Sequence, residues 1–165
     1  MSEVDDALRA ISTKDFGVLR HLSREAANLR DQDGMTLLMN AVLEEQPDPE
    51  VIQALLDRGA DVNAKDHDGW TTLHFAARDQ KKKIVPLLLA AGADVDPVES
   101  FGNTPLWRAV MSVQGDPTVI SQLVAHGADP ARKNKRGNSP LDVARDAGLT
   151  EVVALLESKD KDARD

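Results

Sequence analysis

Asp66-His67-Asp68-Gly69-Trp70-Thr71-Thr72-Leu73-His74-Phe75-Ala76-Ala77, closed further on by Gly92-Ala93-Asp94-Val95-Asp96, decides how this chain is read, because it recurs. Its Gly69 has counterparts at Gly34, Gly102 and Gly137, each opening a Gly-x-Thr/Ser-x-Leu element. The spacings between successive glycines are 35, 33 and 35 residues. The Gly-Ala-Asp triplet also returns, starting at Gly59, Gly92 and Gly127. A period of this size marks a stack of one supersecondary unit, which presents a long surface rather than a pocket.

Each unit carries the signals of two helices. Thr36, Thr71, Thr104 and Ser139 precede helical runs, where a hydroxyl can accept an otherwise unpaired backbone N–H. Pro105 and Pro140 follow directly, at the first helical position, where the missing N–H costs nothing. Leu38/Ala41/Val42, Leu73/Ala76/Ala77 and Leu106/Ala109/Val110 then lie on one helical face. The second helix carries the apolar pairs Val51/Ile52/Leu55/Leu56, Ile84/Val85/Leu88/Leu89 and Val119/Ile120/Leu123/Val124. Gly59, Gly92 and Gly127 fall where a helix end takes a left-handed residue.

These motifs resemble the ankyrin repeat, with its Thr-Pro-Leu-His-x-Ala helix start and Gly-Ala-Asp-Val-Asn loop. The resemblance covers residues 31–157 and implies an all-α solenoid of helix-turn-helix units with short β-hairpin fingers. One domain over 1–157 is expected: an N-terminal helical cap (1–30), repeats at 31–65, 66–98 and 99–133, and a capping repeat at 134–157. Residues 158–165 read as a frayed, charged tail. The cap, read as a helix pair over 5–30, lacks a finger before it.

Two features depart from the repeat pattern. Repeats one and three carry two extra residues between their helices, around Asp48-Pro49 and Asp116-Pro117, each read as an N-cap with proline at N1. Pro86 sits inside the second repeat's outer helix and is tolerable only if that helix starts near Lys83, since an interior proline costs about 3 kcal/mol.

Composition narrows the function. Hydrophobic content of 41% with 29% charged residues is that of a globular chain. No apolar run reaches the roughly 18–20 residues of a membrane span. The start, Met1-Ser2-Glu3-Val4-Asp5-Asp6, has no basic or apolar leader. The location expected is cytoplasmic, or periplasmic if a signal segment has been removed. With no cysteine there is no disulfide, thiolate metal site or cysteine nucleophile. A net charge of −8, with eight acidic and two basic side chains in residues 31–65, opposes nucleic acid and favours a basic protein partner. The Lys81-Lys82-Lys83 and Arg132–Arg136 clusters read as solvated faces.

No phosphate-cradling loop, nucleophile elbow or His-Glu-x-x-His stretch occurs, so no catalytic, cofactor or metal site is expected. His74 occupies the family's histidine position and is expected to stiffen the finger by hydrogen bonding. Asp31, Asp33, Asp66 and Asp68 read as turn-formers at finger tips. Trp70 and Phe101 are at finger positions that normally face solvent, either packing between fingers or anchoring a partner. Trp107, in place of the family histidine, is expected to pack locally. The expected partner-binding set is Asp31, Asp33, Met35, Asp66, Asp68, Trp70, Arg78, Asp79, Phe101, Arg108 and Met111, the last inner-helix members facing the concave side. Repeats bearing Asn103-Thr104-Pro105-Leu106-Trp107-Arg108-Ala109-Val110 look like those of small free-standing bacterial ankyrin proteins. That resemblance implies a noncatalytic binder, monomeric when free, of a kind that includes immunity inhibitors of toxic enzymes. An adaptor that links proteins without inhibiting them is the alternative.

Overall fold

Short helices cannot stand alone in water, because the first turn fixes several residues for one hydrogen bond. This chain solves the problem by stacking. The computed structural model describes residues 3–162. It contains α1 (Glu3–Thr13), α2 (Phe16–Leu19), α3 (Arg24–Ala27), α4 (Leu37–Leu43), α5 (Pro49–Asp57), α6 (Thr72–Arg78), α7 (Val85–Ala90), α8 (Pro105–Ser112), α9 (Thr118–Ala125), α10 (Pro140–Asp146) and α11 (Thr150–Asp162). An inner row, α1-α4-α6-α8-α10, packs neighbour on neighbour, and an outer row, α2-α5-α7-α9-α11, backs it. Between the rows runs one apolar core, in which Leu38, Leu73, Leu106, Ile52, Leu88 and Leu123 are fully buried.

The capping chemistry expected from sequence is present. Thr36, Thr71, Thr104 and Ser139 each accept the N3 backbone N–H of the helix they precede. Pro105 and Pro140 start α8 and α10. Asp48 caps α5, its Oδ1 accepting from the Glu50 N–H at 2.9 Å. Asp116 accepts from the Thr118 N–H in the same way at 3.0 Å, although α9 begins one residue later than expected, with Pro117 at the cap. Helix α7 begins at Val85, so Pro86 lies in its first turn and removes no helical hydrogen bond.

The N-terminal cap differs in detail from a helix pair. Its outer member is a single turn, α2, and a second isolated turn, α3, follows with Ser23 as its N-cap. At the other end, Glu157 pairs with Arg145 at 2.7 Å. Helix α11 continues through Asp162, and residues 163–165 of the tail lie outside the described residues.

The fingers are tighter than strand pairs. Each is one closed turn: Asp31 N–H to Met35 O, Asp66 to Trp70, Glu99 to Asn103 and Asn134 to Asn138, at 2.9–3.2 Å. Among the described residues no extended strand forms, and the bridges are the isolated pairs Arg30–Thr36 and Lys65–Thr71. Gly102 shows why glycine turns the finger: its φ is +80°, and a Cβ there would stand 2.9 Å from the Lys135 backbone nitrogen of the next finger.

Candidate functional site

One side chain organises each finger. Asp31 Oδ1 accepts from the N–H groups of Asp33 and Met35, and Asp66 Oδ1 from those of Asp68 and Trp70. Glu99 does the same for Phe101 and Asn103, and Asn134 for Arg136 and Asn138. The finger aspartates are therefore turn-formers. Asp31 also accepts from Asn40 Nδ2 at 3.0 Å, which ties the first finger to α4. Among the described residues, no group of three His, Asp or Glu side chains is placed to hold a metal ion. No helix among them is long and apolar enough to cross a membrane.

Glu99 and Asn134 occupy the register of Asp31 and Asp66, one period on, and were legible from that spacing. Their consequence was not. Glu99 is buried, with Arg108 Nη2 at 3.5 Å from its carboxylate. Burial opposes its charge, but the Phe101 and Asn103 N–H groups and the Arg108 guanidinium outweigh it and hold the carboxyl below the usual range.

Of the two readings open for Trp70, the structure favours packing: it is half-buried, stacked on Phe75 with ring centroids 4.9 Å apart. The Arg108 guanidinium lies 4.4 Å from its ring centroid and that of Arg78 5.4 Å. Arg78 in turn makes a two-pronged pair with Asp79, at 2.6 and 2.9 Å. Trp70, Arg78, Asp79, Arg108 and Glu99 thus form one interlocked cluster joining repeats two and three. Such cation–π contacts add about 0.5–1 kcal/mol each at exposed sites.

His74 carries the same junction from beneath. It is fully buried; its Nδ1 accepts from the Thr71 N–H at 3.1 Å, so the neutral ring carries its proton on Nε2, 3.0 Å from the Asn103 carbonyl of the next repeat. Burial lowers its pKa to about 4. Trp107 is half-buried in the finger-side wall of α8, whereas His67 and His126 are exposed.

The outward-facing members of the expected set are fewer. Phe101 is 60% exposed and Met111 57%, on finger 3 and on α8 one turn beyond Arg108. Asp33 and Asp68 are exposed at their tips, while Asp31, Asp66 and Met35 are half-buried at the finger bases. A second row of side chains ties successive repeats together. Asn28 accepts from the Asp61 N–H and donates to Gly59 O; Asn63 accepts from the Asp94 N–H and donates to Gly92 O. Asp96, next in the row, accepts from the Asp129 N–H at 2.9 Å, but its other oxygen is buried without a partner. Burial and the nearby Asp129 raise its pKa.

Comparison with known proteins agrees with this geometry. A family model described as ankyrin repeats in three copies matches residues 8–99, and a single ankyrin-repeat model matches 101–135. Protein PhlB of Serratia liquefaciens is 38% identical over 78% of this chain and 55% of its own length. The ankyrin repeat protein YahD of Escherichia coli (strain K12) is 26% identical over 78% of this chain and 82% of its own. The mitochondrial disaggregase of Bos taurus is 29% identical over 66% of this chain. The chain spans about half the length of PhlB and 21% of the disaggregase.

Proposed function

Because the chain belongs to the ankyrin-repeat family, whose repeats are protein-interaction modules, we propose that it binds a partner protein through its fingers and inner helices and thereby blocks that partner's activity. The observation that carries this reading is the pair Phe101 and Met111. They are two of the three exposed large hydrophobic side chains among the described residues, and both lie in repeat three beside Arg108. Exposed apolar side chains ringed by charge are the usual composition of an interface centre. The acidic first repeat favours a partner with a basic surface and would speed its approach at low salt. An inhibitor needs such steering more than a passive scaffold does, because it must reach its enzyme before substrate does. A bacterial setting is in line with the similarity to PhlB and YahD; a free monomer in the cytoplasm, or in the periplasm if exported, is part of the same proposal.

The test is affinity capture from the source cell at low salt, with wild type and Phe101→Ala/Met111→Ala side by side. The wild type should retain a partner that the variant releases, and adding the pure protein to that partner should abolish its enzymatic activity. A partner retained equally by both proteins overturns the surface. A partner whose activity is unchanged by binding overturns inhibition and leaves the adaptor reading.

A further inference from the structure

The finger edge carries two recesses of opposite charge, one toward each end. The first, about 540 Å³, opens where α1 meets finger 1. Val4 and Leu8 give it an apolar wall, and Asp5, Asp31 and Asp33 bring three carboxylates against one cation, Arg30. Arg30 is already engaged, its Nη1 donating to the Gly34 and Lys65 carbonyls. The second recess, about 230 Å³, lies between fingers 3 and 4. Phe101 and Trp107 wall it, no carboxylate lines it, and Arg136 charges it, the Arg108 guanidinium on its wall being paired with Glu99. Trp107 Nε1 and Arg108 Nε are buried without an acceptor within the protein.

The spacing between the recesses follows from the stack. Packed helices stand about 8–10 Å apart, so from finger 1 to the gap between fingers 3 and 4 is roughly 20–25 Å. An extended chain covers that distance in about seven residues at ~3.3 Å each. We propose that this edge receives an extended segment of the partner protein in which a Lys or Arg stands about seven residues from an Asp or Glu. The cation enters beside Asp31 and Asp33, and the carboxylate sits against Phe101 and Arg136. The exposed tips between, from Asp68 to Ser100, are crossed by the intervening backbone. This rests on the protein-binding reading and adds to it the partner's charge order: the partner is bipolar along the edge, not uniformly basic.

A capped octapeptide tests it, with Arg first, Glu last and Ser/Thr between. Its control has the same composition with Arg and Glu adjacent. Titrated at low salt and followed by amide NMR, the spaced peptide should bind at least about threefold more tightly than the control, the scale of an exposed ion pair. Shifts should appear at both recesses. Asp31→Asn/Asp33→Asn, which keeps the turn-forming oxygens, and Arg136→Gln should each erase that preference while circular dichroism stays unchanged. Equal affinity for the two peptides, shifts at one recess alone, or no binding of either overturns the proposal. Should that happen while Phe101→Ala/Met111→Ala still releases the captured partner, protein binding stands and only the charge order falls.

Discussion

Asp96→Asn should stabilise the protein, and the chain supplies its own templates for the magnitude. Asn28 and Asn63 each use both ends of the amide, accepting at 2.7 and 2.8 Å and donating to a glycine carbonyl at 2.9 and 3.1 Å. Asp96 makes only the accepting bond, and its Oδ1 is buried unpaired. An asparagine keeps the acceptor and offers its Nδ2 to the Gly127 carbonyl, the register equivalent of Gly59 and Gly92. One added hydrogen bond contributes about 1 kcal/mol, and removing an unsatisfied buried group about 1–3 kcal/mol more. Because the site is partly open, the sum expected is about 1–3 kcal/mol, or a rise in melting temperature of roughly 3–10 °C. The pH dependence gives a second check. Its folded pKa is raised, so between the unfolded value and that raised value the folded state holds a proton that the unfolded state has lost. Wild-type stability therefore falls as pH rises through this window, and the variant lacks that loss. Its advantage should be full at neutral pH and shrink as pH falls through that window toward about pH 4. Thermal melts by circular dichroism across that range are the assay. A variant less stable than wild type at neutral pH, or an advantage that does not shrink with acid, would refute the reasoning.

His74 should produce the opposite slope: its folded pKa is lowered to about 4, so stability is complete above about pH 6.5 and is lost as pH falls toward 4, by up to about 3 kcal/mol. A His74→Gln variant whose urea midpoint keeps the wild-type acid slope would contradict this. Leu88→Ala removes a fully buried outer-helix side chain and should cost about 2–5 kcal/mol in urea unfolding; a loss below about 1 kcal/mol would show the packing to be wrong. Trp70→Ala and Phe101→Ala should separate, the first costing about 2–4 kcal/mol and the second less than about 0.5, because one ring is stacked into the repeat junction and the other faces water. Equal losses would disprove the distinction.

The repeat register, the caps and the helix starts were legible in the sequence because they depend on local chemistry: a hydroxyl before a helix, a proline in its first turn, apolar residues at helical spacing. Pro86 shows how far this reaches, since one rule placed the start of α7 within two residues of Lys83. What the sequence hid was contact across the period. The place of Trp70 beside Gly69 leaves packing and partner contact both open, and nothing in repeat two alone says that Arg108, a unit later, closes over it. Asp96 likewise looks like an ordinary loop aspartate until Asn28 and Asn63 are seen to share its row. Glu99 lay between: its register was readable, its burial against Arg108 was not.

The way each finger is closed has a consequence for how such a protein can change allegiance. A single carboxylate or amide, at Asp31, Asp66, Glu99 or Asn134, gathers the turn's N–H groups, so the fold asks for one side chain per finger. The two residues that follow it, Gln32-Asp33, His67-Asp68, Ser100-Phe101 and Lys135-Arg136, are exposed and contribute mainly backbone. Stability and address are thus written on different letters of the same short word. A new partner can be sought by exchanging tip residues finger by finger, each exchange nearly neutral for folding, so the molecule can drift between targets without passing through an unfolded intermediate sequence.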